Sequence, residues 1–294
     1  MKNTIKLYSS VAPGSENLDI VEEMFTEEWN GLKKELVKNV TEPELIMYLP
    51  ENVTDMSAFV VIPGGAFKRQ VLNHEGRAVA EWLNSQGIAA FVLKTRLPVN
   101  EHQNRYDVLL MDVQRAIRTV RAHALEWGIR EDSIGVMGFS AGGYQAALAA
   151  TGFDVQLGTL SDEIDSYSAR PDFCALGYSA VSKEAQENRP NVSTFPVAGY
   201  EMEQLAKYAP HEMLTEQTPP LFIFETDDDG TTPAENSVFM YLAARKKKVP
   251  AELHIFQTGK HGFGLGNDEG QTGQWKSLFL KWAETVGIQI NLND

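Results

Sequence analysis

Short apolar runs alternate with helical patterns along most of the chain. Seven runs are predicted strands: 45–49, 58–62, 88–93, 134–138, 173–178, 221–225 and 252–256. Strands that alternate with helices in this way predict a mostly parallel sheet covered by helices on both faces, which is the α/β class.

Two helical patterns between and after these strands are well defined. Within 107–127, apolar residues recur at helical spacing: Leu109, Val113, Ala116, Ile117, Val120 and Ala124. Near the C-terminus the same spacing joins Trp275, Leu278, Phe279, Trp282 and Val286. Such stripes indicate helix faces that pack on the sheet. We therefore interpret the aromatic residues as core and not as a cofactor site.

Two stretches lack this rhythm. Residues 8–44 are polar, and residues 152–218 hold one predicted strand among irregular sequence that includes Arg189-Pro190. An insertion after a central strand–helix unit often forms a lid or pocket wall, and plain surface connections are the alternative. No repeat or linker divides the chain, so we expect a single domain over 1–294.

Composition limits the partners and the compartment. The 294 residues carry a net charge of −14, which disfavours nucleic acid or an anionic membrane as the main partner and fits an uncharged substrate. The lone cysteine, Cys174, excludes an intrachain disulfide. No apolar leader and no run of about 18 apolar residues occurs, so we expect a cytoplasmic protein without a membrane span. The oligomeric state stays open, with a homo-oligomer as one alternative.

The strongest chemical signal lies at residues 138–143, Gly-Phe-Ser-Ala-Gly-Gly, which match the G-x-S-x-G nucleophile elbow. An apolar strand pattern precedes them and a helix-forming segment follows. This context predicts that Ser140 lies on a sharp strand-to-helix turn. Gly138 and Gly142 would supply the small neighbours that such a turn needs.

A serine hydroxyl needs a base, and in this arrangement the base follows it in the chain. His261 lies in a glycine-rich loop just after a predicted strand and is our first choice. His211, in the irregular insertion, is the alternative. His254 alternates with apolar residues and is expected to belong to the strand 252–256.

The acid that orients the base should follow the strand 221–225. Asp227, Asp228 and Asp229 occur there in a row, so the assignment is ambiguous. Like charges this close raise one another's pKa, which suggests that at least one of them faces a partner. Asp229, directly before the turn at Gly230, is the first choice and Asp228 the second.

An oxyanion hole needs two backbone N–H donors. One is expected from Ala141, directly after the nucleophile. The other should come from the glycine-rich loop that follows the strand 58–62, with Gly65 and Ala66 as the candidates. A plain turn at the strand end is the alternative. No dinucleotide register and no metal-ligand spacing is evident, so we expect no cofactor and no metal.

The sequence resembles the α/β-hydrolase esterases of the acetyl-esterase or acetylxylan-esterase-like (xylanase-associated esterase) group. The segments that carry the resemblance are 12–14, 48–50, 63–67, 81–93, 126–129, 138–143, 168–173 and 250–262. An Asp four residues before a Pro marks the acid of this group, and Asp229 stands so before Pro233. The chain departs from the group at Thr231-Thr232, at Tyr144, and by lacking a proline near Tyr178.

Together the residues and the resemblance predict a serine carboxylesterase with a catalytic triad of Ser140, Asp229 and His261. The resemblance implies short acyl groups, especially acetyl, on a sugar or oligosaccharide, with no cofactor. A serine peptidase of similar topology is one alternative. A ligand-binding homologue without activity is another, although all three triad residue types are present.

Overall fold

An eight-stranded, mostly parallel sheet forms the centre of the protein. The computed structural model describes residues 4–29, 31–51, 54–158, 162–187 and 199–290. The strands are β1 (Thr4–Lys6), β2 (Glu23–Trp29), β3 (Leu32–Lys38), β4 (Glu44–Tyr48), β5 (Met56–Ile62), β6 (Gln70–Val71), β7 (Ala89–Lys94), β8 (Ile129–Phe139), β9 (Cys174–Gly177), β10 (Leu221–Thr226) and β11 (Ala251–Phe256). The α-helices are α1 (Ala78–Ser85), α2 (Val108–Ala122), α3 (Ala141–Thr151), α4 (Lys183–Glu187), α5 (Gly199–Lys207), α6 (Pro210–Met213), α7 (Glu235–Lys246) and α8 (Trp275–Val286).

The large sheet has the strand order β1-β4-β7-β5-β8-β9-β10-β11. In this order, the six strands β7, β5, β8, β9, β10 and β11 are parallel, whereas β4 and β1 join the β7 edge in antiparallel orientation. All seven predicted strands belong to this sheet, and the predicted α/β-hydrolase fold is confirmed. The apolar runs were recognisable in the sequence because strands such as β5, β7 and β10 are buried along their whole length.

Two apolar layers cover the sheet, one on each face. The side chains of β5 alternate between them: Val60 and Ile62 join the layer of α2, α3 and α7, while Phe59 and Val61 join that of α1 and α8. The predicted helices 107–127 and 275–286 thus lie on opposite faces. In the described ranges, no helix has the length and apolar character to cross a bilayer.

Residues 8–44, a polar stretch for which the sequence analysis predicted no strand, contain β2 and β3. β2 and β3 pair as an antiparallel hairpin, and β6 extends it to a second, three-stranded sheet. β2 has no fully buried residue, so its sequence is polar and shows no apolar run. Asn30-Gly31 between the strands is a hairpin signal that could have revealed the pair.

The stretch 152–218 is more regular than expected, because it contains α4, α5 and α6 besides β9. Leu205 and Leu214 are buried in the same core layer as α3. The Tyr144 hydroxyl of α3 donates to the Tyr208 carbonyl oxygen at 3.1 Å. Arg189-Pro190 lies outside the described residues. The assignment of this stretch as a lid or pocket wall stays a prediction, as does the single domain.

Candidate active site

Ser140 occupies a strained turn between β8 and α3. Its backbone has φ 54° and ψ −121°, a region that non-glycine residues rarely adopt. A β-carbon on Gly138 would lie 2.2 Å from the Gly142 carbonyl oxygen, and one on Gly142 would lie 2.1 Å from that of Ile62. The close approach of strand and helix therefore requires both glycines, as expected from the sequence.

His261 lies between Ser140 and Asp229. Its Nε2 is 2.9 Å from Ser140 Oγ, and its Nδ1 is 2.7 Å from Asp229 Oδ2. The side chain of Asp229 is fully buried, while that of His261 keeps 10% of its surface exposed. The imidazole thus lies between the Asp229 carboxylate, which is shielded from solvent, and the Ser140 hydroxyl, which is accessible. These are the distances that the triad hypothesis requires.

The neighbouring aspartates have different surroundings. Asp229 Oδ1 accepts hydrogen bonds from the Thr231 and Thr232 N–H groups, each at 2.7 Å, so the carboxylate is held in one orientation. Asp228 is exposed, and its Oδ1 accepts from the N–H groups of Gly259 and Lys260. Asp228 therefore binds the backbone of the histidine loop (residues 258–264) and not the imidazole.

The other candidate histidines lie elsewhere. His211 Nδ1 donates to the Val181 carbonyl oxygen at 3.1 Å, and its ring stacks on Phe239. His254 belongs to β11, as expected, and its Nε2 lies 2.7 Å from Glu252 Oε1. Neither is bonded to Ser140.

The glycine loop (residues 63–67) follows β5 and lies beside Ser140. A β-carbon on Gly64 would be 2.8 Å from Ser140 Cβ, and one on Gly65 would be 1.9 Å from the Arg69 carbonyl oxygen. Ala66 has φ 56°, a strained value for a residue with a side chain. The Gly64 N–H donates to Glu75 Oε2 at 2.8 Å, so this donor is occupied.

Sequence reasoning missed Glu75 and Tyr178, which line the interior of the site. Glu75 is 3% exposed and lies in a single π-helical turn, Asn73–Arg77. Tyr178 directly follows β9, has φ 38°, and packs its ring edge-on against His261 at 5.1 Å between centroids. A polar residue at the carboxyl end of a central parallel strand was the signal that could have identified Tyr178.

Glu225, at the end of β10, is a second buried carboxyl group beside Asp229. Its Oε1 accepts from the Thr226 N–H at 2.9 Å, and the Ser237 hydroxyl lies 3.4 Å from its Oε2. Burial, followed by the charge of Asp229, raises the pKa of Glu225 well above its ordinary value. The surroundings of Glu225 therefore favour its neutral form.

Comparison with known proteins identifies the family. The BD-FAE family profile matches residues 45–243, more than half of the chain. The chain belongs to the BD-FAE family. An acetyl ester-xyloside bifunctional hydrolase from Caldicellulosiruptor lactoaceticus is similar along the whole fold, with a TM-score of 0.75 and 32% identity over 98% of this chain and 97% of that one.

Two curated relatives of this BD-FAE chain are longer proteins. An acetylxylan esterase of Xylanibacter ruminicola is 32% identical over 76% of this chain and 44% of its own length. An endo-1,4-beta-xylanase B of Butyrivibrio fibrisolvens is 31% identical over 77% of this chain and 35% of its own length. The chain thus spans less than half of either relative. The predicted resemblance to the acetyl-esterase and acetylxylan-esterase group is confirmed.

Proposed function

We propose that this protein is a serine carboxylesterase that removes short acyl groups, chiefly acetyl, from sugars or oligosaccharides. The observation that carries the proposal is the line of hydrogen bonds from Ser140 through His261 to the buried Asp229. Two of the similar proteins, an acetylxylan esterase and an acetyl ester-xyloside hydrolase, support acetylated sugar as the substrate class.

Acylation begins when Ser140 Oγ attacks the ester carbonyl carbon and His261 Nε2 takes the hydroxyl proton. The Nδ1–H of His261 donates to Asp229, which stabilises the imidazolium that forms. Because Asp229 is held by two backbone N–H groups, it can keep the ring in the orientation that the proton transfer needs. The imidazolium then returns the proton to the departing alcohol oxygen, leaving an acyl-serine.

The negative oxygen of the tetrahedral intermediate would be bound by the N–H of Ala141 together with that of Gly65 or Ala66. Ala141 is the first residue of α3, so its N–H lies at the positive end of the helix. Gly64 is a poorer candidate since its N–H is bonded to Glu75. In deacylation water attacks the acyl carbon while His261 Nε2 accepts its proton. The bond from that carbon to Ser140 Oγ then breaks, His261 returns the proton to Oγ, and the carboxylic acid leaves.

The decisive experiment compares the wild-type protein with Ser140→Ala on p-nitrophenyl acetate. The variant should lose about 10⁴-fold or more in kcat while it stays folded, because the other groups act on that hydroxyl. Ser57→Ala is the matched control. Its hydroxyl is likewise hydrogen-bonded, but to Ser133 at 2.6 Å within the core and not to a residue of the site.

Substantial turnover by purified Ser140→Ala would contradict the nucleophile. An inactive wild-type protein would favour a ligand-binding homologue. Faster hydrolysis of a peptide p-nitroanilide than of the acetate would favour a peptidase. The cytoplasmic location stays a prediction that fractionation can test. The oligomeric state stays open, and light scattering would determine it.

A further inference from the structure

A chain of buried hydrogen bonds connects the glycine loop to the histidine loop. The Gly64 N–H donates to Glu75 Oε2 at 2.8 Å, and the Tyr178 hydroxyl donates to Glu75 Oε1 at 2.9 Å. The same hydroxyl accepts from the Gly264 N–H at 3.0 Å. The two loops that would supply the oxyanion donor and the general base are therefore joined through two side chains.

Each carboxyl oxygen of Glu75 accepts a hydrogen bond, Oε2 from the Gly64 N–H and Oε1 from the Tyr178 hydroxyl. Glu75 is 3% exposed and Tyr178 is fully buried, so water is not a ready substitute for either partner. Burial, and then the neighbouring Glu75, raise the pKa of Tyr178 well above its ordinary value. The hydroxyl keeps its proton and is therefore the donor in the hydrogen bond to Glu75 Oε1.

The same π-helical turn holds the histidine loop at a second point. His74, next to Glu75, lies with Nε2 3.0 Å from the Gly262 carbonyl oxygen. A β-carbon on Gly264 would lie 2.6 Å from that nitrogen. The turn Asn73–Arg77 thus contacts the residues on the C-terminal side of His261 and the glycine loop at the same time.

We propose that Glu75 and Tyr178 are positioning residues that keep the glycine loop and the histidine loop in one fixed relation. His261 and the oxyanion donors must act on the same tetrahedral intermediate, so an error in the spacing of the loops weakens transition-state binding. A displacement of about 1 Å can lower the rate about 100-fold. The inference rests on the proposed esterase function, since it assigns these loops their roles.

The test uses Tyr178→Phe, which removes one oxygen and keeps the ring packed against His261. We expect kcat for p-nitrophenyl acetate to fall about 10- to 100-fold while KM changes less than about threefold, because positioning acts in the transition state. Tyr144→Phe is the matched control. Tyr144 is also a fully buried tyrosine with a hydrogen-bonded hydroxyl, and its partners, Gln204 and the Tyr208 carbonyl oxygen, both lie in the insertion.

A double-variant cycle separates a shared role from two local ones. Glu75→Gln fills the same space but has one acceptor oxygen where Glu75 has two, so either the Gly64 N–H or the Tyr178 hydroxyl would face an NH2 group. We therefore expect it to lower kcat as Tyr178→Phe does. Because each change breaks the same connection, the double variant should be about as slow as the slower single variant. Thermal unfolding of each variant and of Tyr144→Phe distinguishes a loss of activity from a loss of the fold. If Tyr178→Phe does not fold, the kcat of Glu75→Gln tests the proposal instead.

Two outcomes would overturn the inference while the esterase function stands. In the first, the wild-type protein is active, Ser140→Ala is not, and the kcat values of Tyr178→Phe and Glu75→Gln match that of Tyr144→Phe. In the second, the loss in the double variant equals the product of the single losses, which means that the residues act separately. An inactive wild-type protein would instead refute the proposed function itself.

Discussion

Three consecutive aspartates show how strongly the surroundings of one residue type can differ. The side chain of Asp229 is buried and bonded to His261, whereas Asp227 and Asp228 are exposed. Asp228 accepts two backbone hydrogen bonds from the histidine loop. Its charge therefore supports the loop, while that of Asp229 is available to the imidazole.

Asp229→Asn should lower kcat by about 10⁴-fold, because an amide facing Nδ1 favours the wrong imidazole tautomer; the magnitude is that measured for the corresponding change in a serine protease. Asp228→Asn keeps an oxygen that can accept from the loop, so its loss should stay within about tenfold. Steady-state kinetics with p-nitrophenyl acetate measures the two effects, with Asp227→Asn as the control. If Asp228→Asn is the crippling change, the acid has been assigned one residue too late.

At the scale of elements, a buried carboxyl group, that of Glu225, lies between the end of β10 and the start of α7. Glu225 has no exposed surface, and its neighbours are the Thr226 N–H, the Ser237 hydroxyl and the carboxylate of Asp229. An ionised group here would be desolvated and next to a like charge. The interface between β10 and α7 therefore favours neutral Glu225.

This state makes the stability of the fold depend on pH. The pKa of Glu225 is raised in the folded protein. The contribution of Glu225 to the free energy of unfolding is therefore fully present below the pKa of an unfolded glutamate, about 4.3, and declines as the pH rises towards the pKa of the folded state. The glutamine side chain of Glu225→Gln does not titrate. The free energy of unfolding of the variant, relative to that of the wild type, should thus rise between pH 5 and pH 8, by about 1.4 kcal/mol per pH unit at most.

Urea unfolding at pH 5, 6.5 and 8 measures this difference, and the other carboxylates largely cancel because both proteins contain them. Asp132→Asn is a suitable control, since Asp132 is an exposed carboxylate paired with Arg130 on the surface. A difference between Glu225→Gln and wild type that does not vary with pH would mean that Glu225 is ionised in the native state.

On the scale of the whole molecule, the distribution of apolar surface bears on the substrate. The large hydrophobic side chains that are exposed in the described part of the chain are Val11, Val21, Met24, Leu32, Leu125, Leu242 and Ile255. None of them lies among the residues of 152–218 whose burial is described (152–158, 162–187 and 203–218), the stretch predicted to form a lid or wall. A long-chain lipase usually needs an apolar lid and a broad acyl channel, so we keep the prediction of a short acyl group and a polar alcohol.

Acetyl esters should accordingly exceed octanoyl esters by at least about tenfold in kcat/KM. Each methylene group placed in an apolar pocket contributes about 0.8 kcal/mol, so a true long-chain pocket would reverse the order by a wide margin. A series of p-nitrophenyl esters from acetyl to octanoyl, with acetylated xylo-oligosaccharides assayed in parallel, measures the preference. A rate that rises steadily with chain length would point to a general esterase instead.

The amino-acid sequence by itself determined the α/β architecture and the elbow. Buried parallel strands are continuous apolar runs, and a serine on a strained turn needs small residues on each side; both requirements act over a few neighbouring positions. The hairpin of β2 and β3 escaped this reasoning because β2 is partly or fully exposed along its length and carries polar residues.

The tertiary structure alone decided which aspartate faces His261 and that Glu75 and Tyr178 join the two loops. Glu75 and Tyr178 are 103 positions apart, and Ser140 and His261 are 121 apart. A hydrogen bond between such distant residues leaves no periodic pattern in the sequence. Its partners are selected by the packing of parallel strands, whose carboxyl ends bring separate loops to one edge of the sheet.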